Sequence, residues 1–200
     1  MRNPKYTFDN LRKHTESIRV QMSNALLEMR PSIDKAFADF DDYLVEVENQ
    51  SPSLERNIRM MLACKSLNHI YSAFILAESG LIVDAVLCER NALETIAFHW
   101  LICLDPTACE EYESNQIPRP VEVRRRLEKL GAEITHLRDI YAADSETSHV
   151  GRKSEKFQSK WESPVKGKLL LGGDYAPEDQ AKMFEFLLAL LYLFCQPMMK

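Results

Sequence analysis

Two hundred residues with 46% hydrophobic content suffice for one sizeable core, so a single domain over residues 1–200 is the expected organisation. A net charge of −5 argues against bulk electrostatic capture of nucleic acid or of an anionic membrane. Five cysteines without a Cys-x-x-Cys pair fit a reducing compartment, hence the cytoplasm, rather than a disulfide framework.

The opening stretch, MRNPKYTFDNL, lacks the apolar region of a signal peptide. Phe8, Leu11, Thr15, Ile18, Met22, Ala25 and Met29 then recur at alternating spacings of three and four, which predicts a helix from about residue 7 to 30. Pro31 interrupts this seam. Ile33, Phe37, Phe40, Leu44 and Val47 make a second one, so residues 1–50 are predicted to form an N-terminal helical hairpin. The next helix starts at a Ser51 or Ser53 cap and stops at Gly80. LIVDAVLCERNALETIAFHWLICLDP is apolar around most of its circumference, which marks it as the central helix, ending at Asp105-Pro106.

A short helix is predicted at about 107–115, and Pro118 and Pro120 restart the chain. Val123, Leu127, Leu130, Ile134, Leu137 and Tyr141 predict one further helix reaching about residue 147. Prolines and glycines between 155 and 176 predict an irregular insertion or a short β-hairpin turning at Lys166-Gly167. The last helix runs from about Pro177 to Cys195. Its apolar run, MFEFLLALLYLFC, contains Glu185 and falls short of the roughly 20 residues that span a bilayer, so no membrane insertion is expected. The fold class is all-α: an up-down helical bundle behind the N-terminal hairpin.

Glu-x-x-His occurs twice, as Glu133/His136 and Glu146/His149, a pattern found in two-metal helical bundles. On one helix the two pairs point roughly 220° apart and cannot close on one metal ion. No metal and no cofactor is therefore assigned, and His136 is expected to face solvent. Tyr141, Ser145 and His149 instead follow the inward seam, either anchoring the following loop or forming a ligand site.

Charges inside the central helix are the other candidates. Glu89 shares an arc with Ile82, Ala85, Leu93, Ile96 and Trp100, and a buried carboxylate there needs compensation. Arg90 and Glu94 have the i, i+4 spacing of an ion pair. They are expected on the buried side of a helix–helix interface with His149 in reach. His99 is expected on a narrow polar strip with Asp84, Asn91 and Thr95.

RNALETIAFHWLICLDP, followed about 50 residues later by YAADSETSHVG, resembles bacterial all-helical proteins with an Arg-x-x-x-Glu central helix and a Tyr-x-x-x-Ser-x-x-x-His helix end. Those proteins are similar to the HEPN (higher eukaryote and prokaryote nucleotide-binding) superfamily. The resemblance covers about residues 60–195. It implies a bundle of four or five helices, often dimeric, in nucleic-acid processing, toxin systems or phage defence. It carries over Arg90, Glu94 and His149, with Tyr141 and Ser145 beside them. HEPN ribonucleases have an Arg and a His with four to six residues between them. Here Arg90/His99 has eight between, Arg126/His136 nine and Arg138/His149 ten, which favours a noncatalytic or differently catalytic member.

Three functions follow as expectations. The first is an interaction or regulatory module that forms a homodimer, with the apolar last helix and the N-terminal helical hairpin as its candidate contact surfaces. The second is a hydrolase of RNA or a nucleotide with Arg90, Glu94 and His149 as catalytic residues. There, Arg152, Lys153, Lys156 and Lys160 would hold the strand by charge, with Phe157 and Trp161 stacking. The third is a small-molecule pocket with Glu89, Tyr141 and Ser145 as ligand-binding residues, or lined by Glu89, His69 and Tyr71. No Gly-x-Ser-x-Gly, P-loop or dinucleotide fingerprint is present.

Overall fold

The computed structural model describes residues 7–148, 159–163, 166–169 and 177–195. The architecture is an all-α bundle with one two-stranded hairpin. α1 spans Phe8–Glu48, α2 Leu54–Glu78 and α3 Ile82–Leu104. α4 is Ala108–Glu113, α5 Pro120–Lys129, α6 Thr135–Ser148 and α7 Pro177–Cys195. β1 (Ser159–Ser163) pairs antiparallel with β2 (Lys166–Leu169). Ser163 faces Lys166 and Trp161 faces Gly167, so Lys166-Gly167, where the turn is expected, belongs to β2 instead.

α1 corrects the predicted helical hairpin. It is a single 41-residue helix that passes through Pro31. Proline removes one i→i−4 hydrogen bond, here to the Leu27 carbonyl. Leu27 and Pro31 are both exposed, so water can satisfy that carbonyl. The inward face continues across the proline: Ile18, Met22, Ala36, Phe40 and Val47 are all buried, and α1 packs on α7 and α2. Burial on both sides of Pro31 outweighs the lost bond.

α2 begins and ends as its sequence predicts. Ser53 caps it by accepting from the Arg56 N–H, and Gly80 adopts φ 75 after it. There Gly80 N bonds Ala77 O and Leu81 N bonds Leu76 O, the paired reverse bonds of a Schellman ending. α3 is the central element and touches α2, α4, α5, α6 and α7. It buries fourteen residues, including the polar Glu89, Thr95 and His99.

The single helix predicted from Val123 to about 147 is two helices. Gly131 has φ 83, a conformation that a side-chain-bearing residue resists, and it ends α5 with the same pair of reverse bonds, Gly131 N to Glu128 O and Ala132 N to Leu127 O. Glu133 then accepts from the Thr135 N–H at 2.9 Å and helps start α6. Of the predicted seam, Val123, Leu127, Ile134 and Leu137 are buried on the two sides of the break, Tyr141 is half-buried, and Leu130, beside the break, is exposed.

Candidate functional site

Two polar clusters sit on α3. The first surrounds Arg90. Its Nε donates to Glu94 Oε1 at 3.3 Å, the expected i, i+4 pair, and its Nη2 donates to Tyr141 Oη on α6 at 2.6 Å. The guanidinium carbon of Arg90 lies 4.6 Å from the centre of the Tyr141 ring, and that of Arg124 on α5 lies 4.0 Å from it. Guanidinium groups are attracted to the negative face of an aromatic ring at such distances. The cluster joins α3, α5 and α6. It is half-buried rather than buried, with the Arg90 and Glu94 side chains 23% and 31% exposed. Sequence spacing identified Arg90, Glu94 and Tyr141, but not Arg124.

The remaining candidates are placed as follows. Ser145 belongs to α6, but its side chain lies outside the described residues, as does His149 altogether. The expected approach of His149 to Arg90 or Glu94 thus falls outside them too, as do Arg152, Lys153, Lys156 and Phe157. Lys160 pairs with Lys168 across the hairpin through its backbone. Glu89 is 1% exposed, on the arc its sequence predicts. His69 lines a surface recess with Met61, Cys64 and Lys65, and Tyr71 is largely exposed, so these two do not join Glu89 in a pocket. His136 is exposed as expected. Among the described residues no group of three or more His, Cys, Asp and Glu side chains is arranged to hold a metal ion, and no helix is long and apolar enough to cross a membrane.

The second cluster was not legible in the sequence. His99 is not on a strip with Asp84 and Asn91, both of which are exposed. It is buried, with Nε2 2.7 Å from Tyr43 Oη on α1. Arg59 Nη2 on α2 donates to the same hydroxyl at 3.2 Å. We assign the hydroxyl proton to the bond with His99 Nε2 and the imidazole proton to Nδ1, the arrangement in which Arg59 and His99 do not both donate to one oxygen. Phe194 packs on the His99 ring with centroids 4.5 Å apart. Burial, reinforced by the Arg59 charge, lowers the His99 pKa to about 3, so the ring is neutral. Burial also pushes the Cys103 thiol up to about 11, which leaves it protonated and a poor nucleophile.

A third set of charges closes the far end of α3. Arg126 donates to Asp105 at 2.8 Å and to both oxygens of Glu111 at 2.7 and 2.8 Å, tying α5 to the α3 end and to α4. Hydrogen bonds from Thr107 and then Arg126 hold the Asp105 carboxyl below its ordinary range.

No protein-family model matches the chain, and no characterised protein or solved structure is significantly similar to it.

Proposed function

We propose that the chain is a helical interaction module that acts as a homodimer. The HEPN-like resemblance supplies its setting: a nucleic-acid-related process in a toxin or phage-defence context. The observation that supports this reading best is the use of the polar interior. Arg59 bonds α2 to α1, Arg90 bonds α3 to α6, and Arg126 bonds α5 to α3 and α4. His99 is neutral and enclosed, and Cys103 is protonated. Groups held in this way fix the positions of helices, and the outer surface is left to carry the function. Light scattering at micromolar concentration tests the reading: a dimer is expected, and a monomer contradicts it.

The hydrolase reading, with Arg90, Glu94 and His149 acting on RNA or a nucleotide, has one specific observation in its favour. Among the described residues Arg124 makes no ion pair, and its guanidinium lies over the Tyr141 ring, beside the half-open Arg90–Glu94 pair, where it is available to a phosphate. Incubation with labelled RNA, with and without His149→Ala, tests it. Loss of cleavage in the variant is expected, and equal background cleavage in both proteins removes the reading.

A further inference from the structure

We propose that the second copy binds along α1, antiparallel, about a twofold axis that crosses the helix between Ser32 and Ile33. This rests on the homodimer reading and names its surface.

α1 has two apolar faces. One is the buried face of Ile18, Met22, Ala36, Phe40 and Val47. The other is turned to solvent. Val20 is 65% exposed, Leu27 67% and Val45 48%, and Ala38 is exposed as well. At roughly 100° per residue, Leu27 and Val45 stand on one line, with Val20, Ala38 and the exposed Asp34 within about 20° of it and the buried face roughly opposite. The stripe from Val20 to Val45 is about 38 Å long at about 1.5 Å per residue. A recess of about 460 Å³ opens beside Val20 and Leu27, with Arg19, Arg30 and Glu78 at its rim.

The order of these residues selects the partner and its direction. Val20 and Val45 are equally distant from the point between Ser32 and Ile33, and so are Leu27 and Ala38. An antiparallel copy therefore sets Val20 on the partner's Val45 and Leu27 on the partner's Ala38, and closes with twofold symmetry. Charge agrees. From Ile33 onward α1 carries Asp34, Asp39, Asp41, Asp42, Glu46 and Glu48 against Lys35 alone, whereas before it Arg12, Lys13, Arg19 and Arg30 outnumber Asp9, Glu16 and Glu28. A parallel pairing lays the acidic half on itself. The antiparallel one lays it on the half with four basic and three acidic residues, with Arg19 and Arg30, which pair with Glu78 and Asp34 of their own chain, on the same flank as the partner's Glu48 and Asp34. Flanking charges of this kind set helix orientation.

The experiment has two arms. In light scattering, the wild type is expected at the mass of two 23.1 kDa chains. Leu27→Glu is expected to raise the dimer Kd at least tenfold with unchanged helical circular dichroism, while Phe186→Glu on α7 leaves the dimer intact. In the second arm, a spin label at Glu48→Cys on a Cys64→Ser background reports orientation. The antiparallel pair places the two labels roughly 45 Å apart, and a parallel pair places them within roughly 20 Å. A monomeric wild type overturns this inference together with the homodimer reading. A dimer that survives Leu27→Glu, or that shows the short distance, overturns this inference alone.

Discussion

The two polar clusters on α3 are built from similar groups and differ in enclosure. Around Arg90, a guanidinium, a carboxylate and a tyrosine hydroxyl meet at a surface that water reaches. Around His99, a tyrosine hydroxyl and a guanidinium meet an imidazole that is 2% exposed and covered by Phe194. Enclosure decides the consequences. In the closed cluster each broken bond leaves a polar atom buried without a partner, which costs about 1–3 kcal/mol. In the half-open cluster water replaces the lost partner, and a partly exposed ion pair contributes at most about 1 kcal/mol. The closed cluster is sealed into the fold, and the half-open one keeps contact with water.

Breaking this contrast is simplest at its strong end. His99→Ala removes a buried ring from between Tyr43 and Phe194 and is expected to cost about 3 kcal/mol or more in urea unfolding at pH 7. A loss under about 1 kcal/mol would show that the ring is not enclosed. Tyr43→Phe keeps the packing and removes only the hydroxyl that joins His99 to Arg59. It is expected to cost about 2 kcal/mol, read from the shift of the urea midpoint at constant slope.

Acid sharpens the same comparison. The folded-state pKa of His99, about 3, lies below the ordinary value of 6.5. On acidification the unfolded chain takes up the proton first, so stability is full above pH 6.5 and falls as pH drops towards 3. The slope from this one group approaches about 1.4 kcal/mol per pH unit. His99→Gln should remove that component between pH 6 and 4, and an unchanged slope in the variant would contradict the assignment. At the weak end, Glu94→Gln leaves Arg90 with Tyr141 and with water. It is expected to change stability by less than about 1 kcal/mol, with a melting temperature within a few degrees of wild type. A larger loss would place Arg90 in the closed class.

The sequence revealed what is local. Ser53, Gly80 and Pro177 mark helix ends through capping and backbone restriction, and α2, α3 and α7 follow from them. Arg90 and Glu94 were legible because four residues on a helix bring side chains to one face. The two corrections to the helix boundaries come from residues whose effect depends on tertiary context. Pro31 was read as a break because proline costs a helix one bond, yet its exposed position and the burial on both sides let α1 run on. The apolar spacing from Val123 to Tyr141 predicts one helix, yet Gly131 within it has a positive φ and ends α5. The His99 cluster joins residues 56 positions apart, and the Arg90–Tyr141 bond spans 51. Periodicity carries no information over such distances. The motif supplied Tyr141, but nothing in the spacing signalled Tyr43, Arg59 or Arg124.

The state of the His99 ring tests the account's central claim most directly. Nitrogen-detected NMR of the imidazole is expected to show a neutral ring protonated at Nδ1, unchanged from pH 7 down to about pH 4, as an enclosed acceptor of the Tyr43 hydroxyl requires. A ring that titrates near 6.5 would contradict it, because the cluster would then be open to water and no different in kind from the one around Arg90, and a proton on Nε2 would reverse the bond to Tyr43.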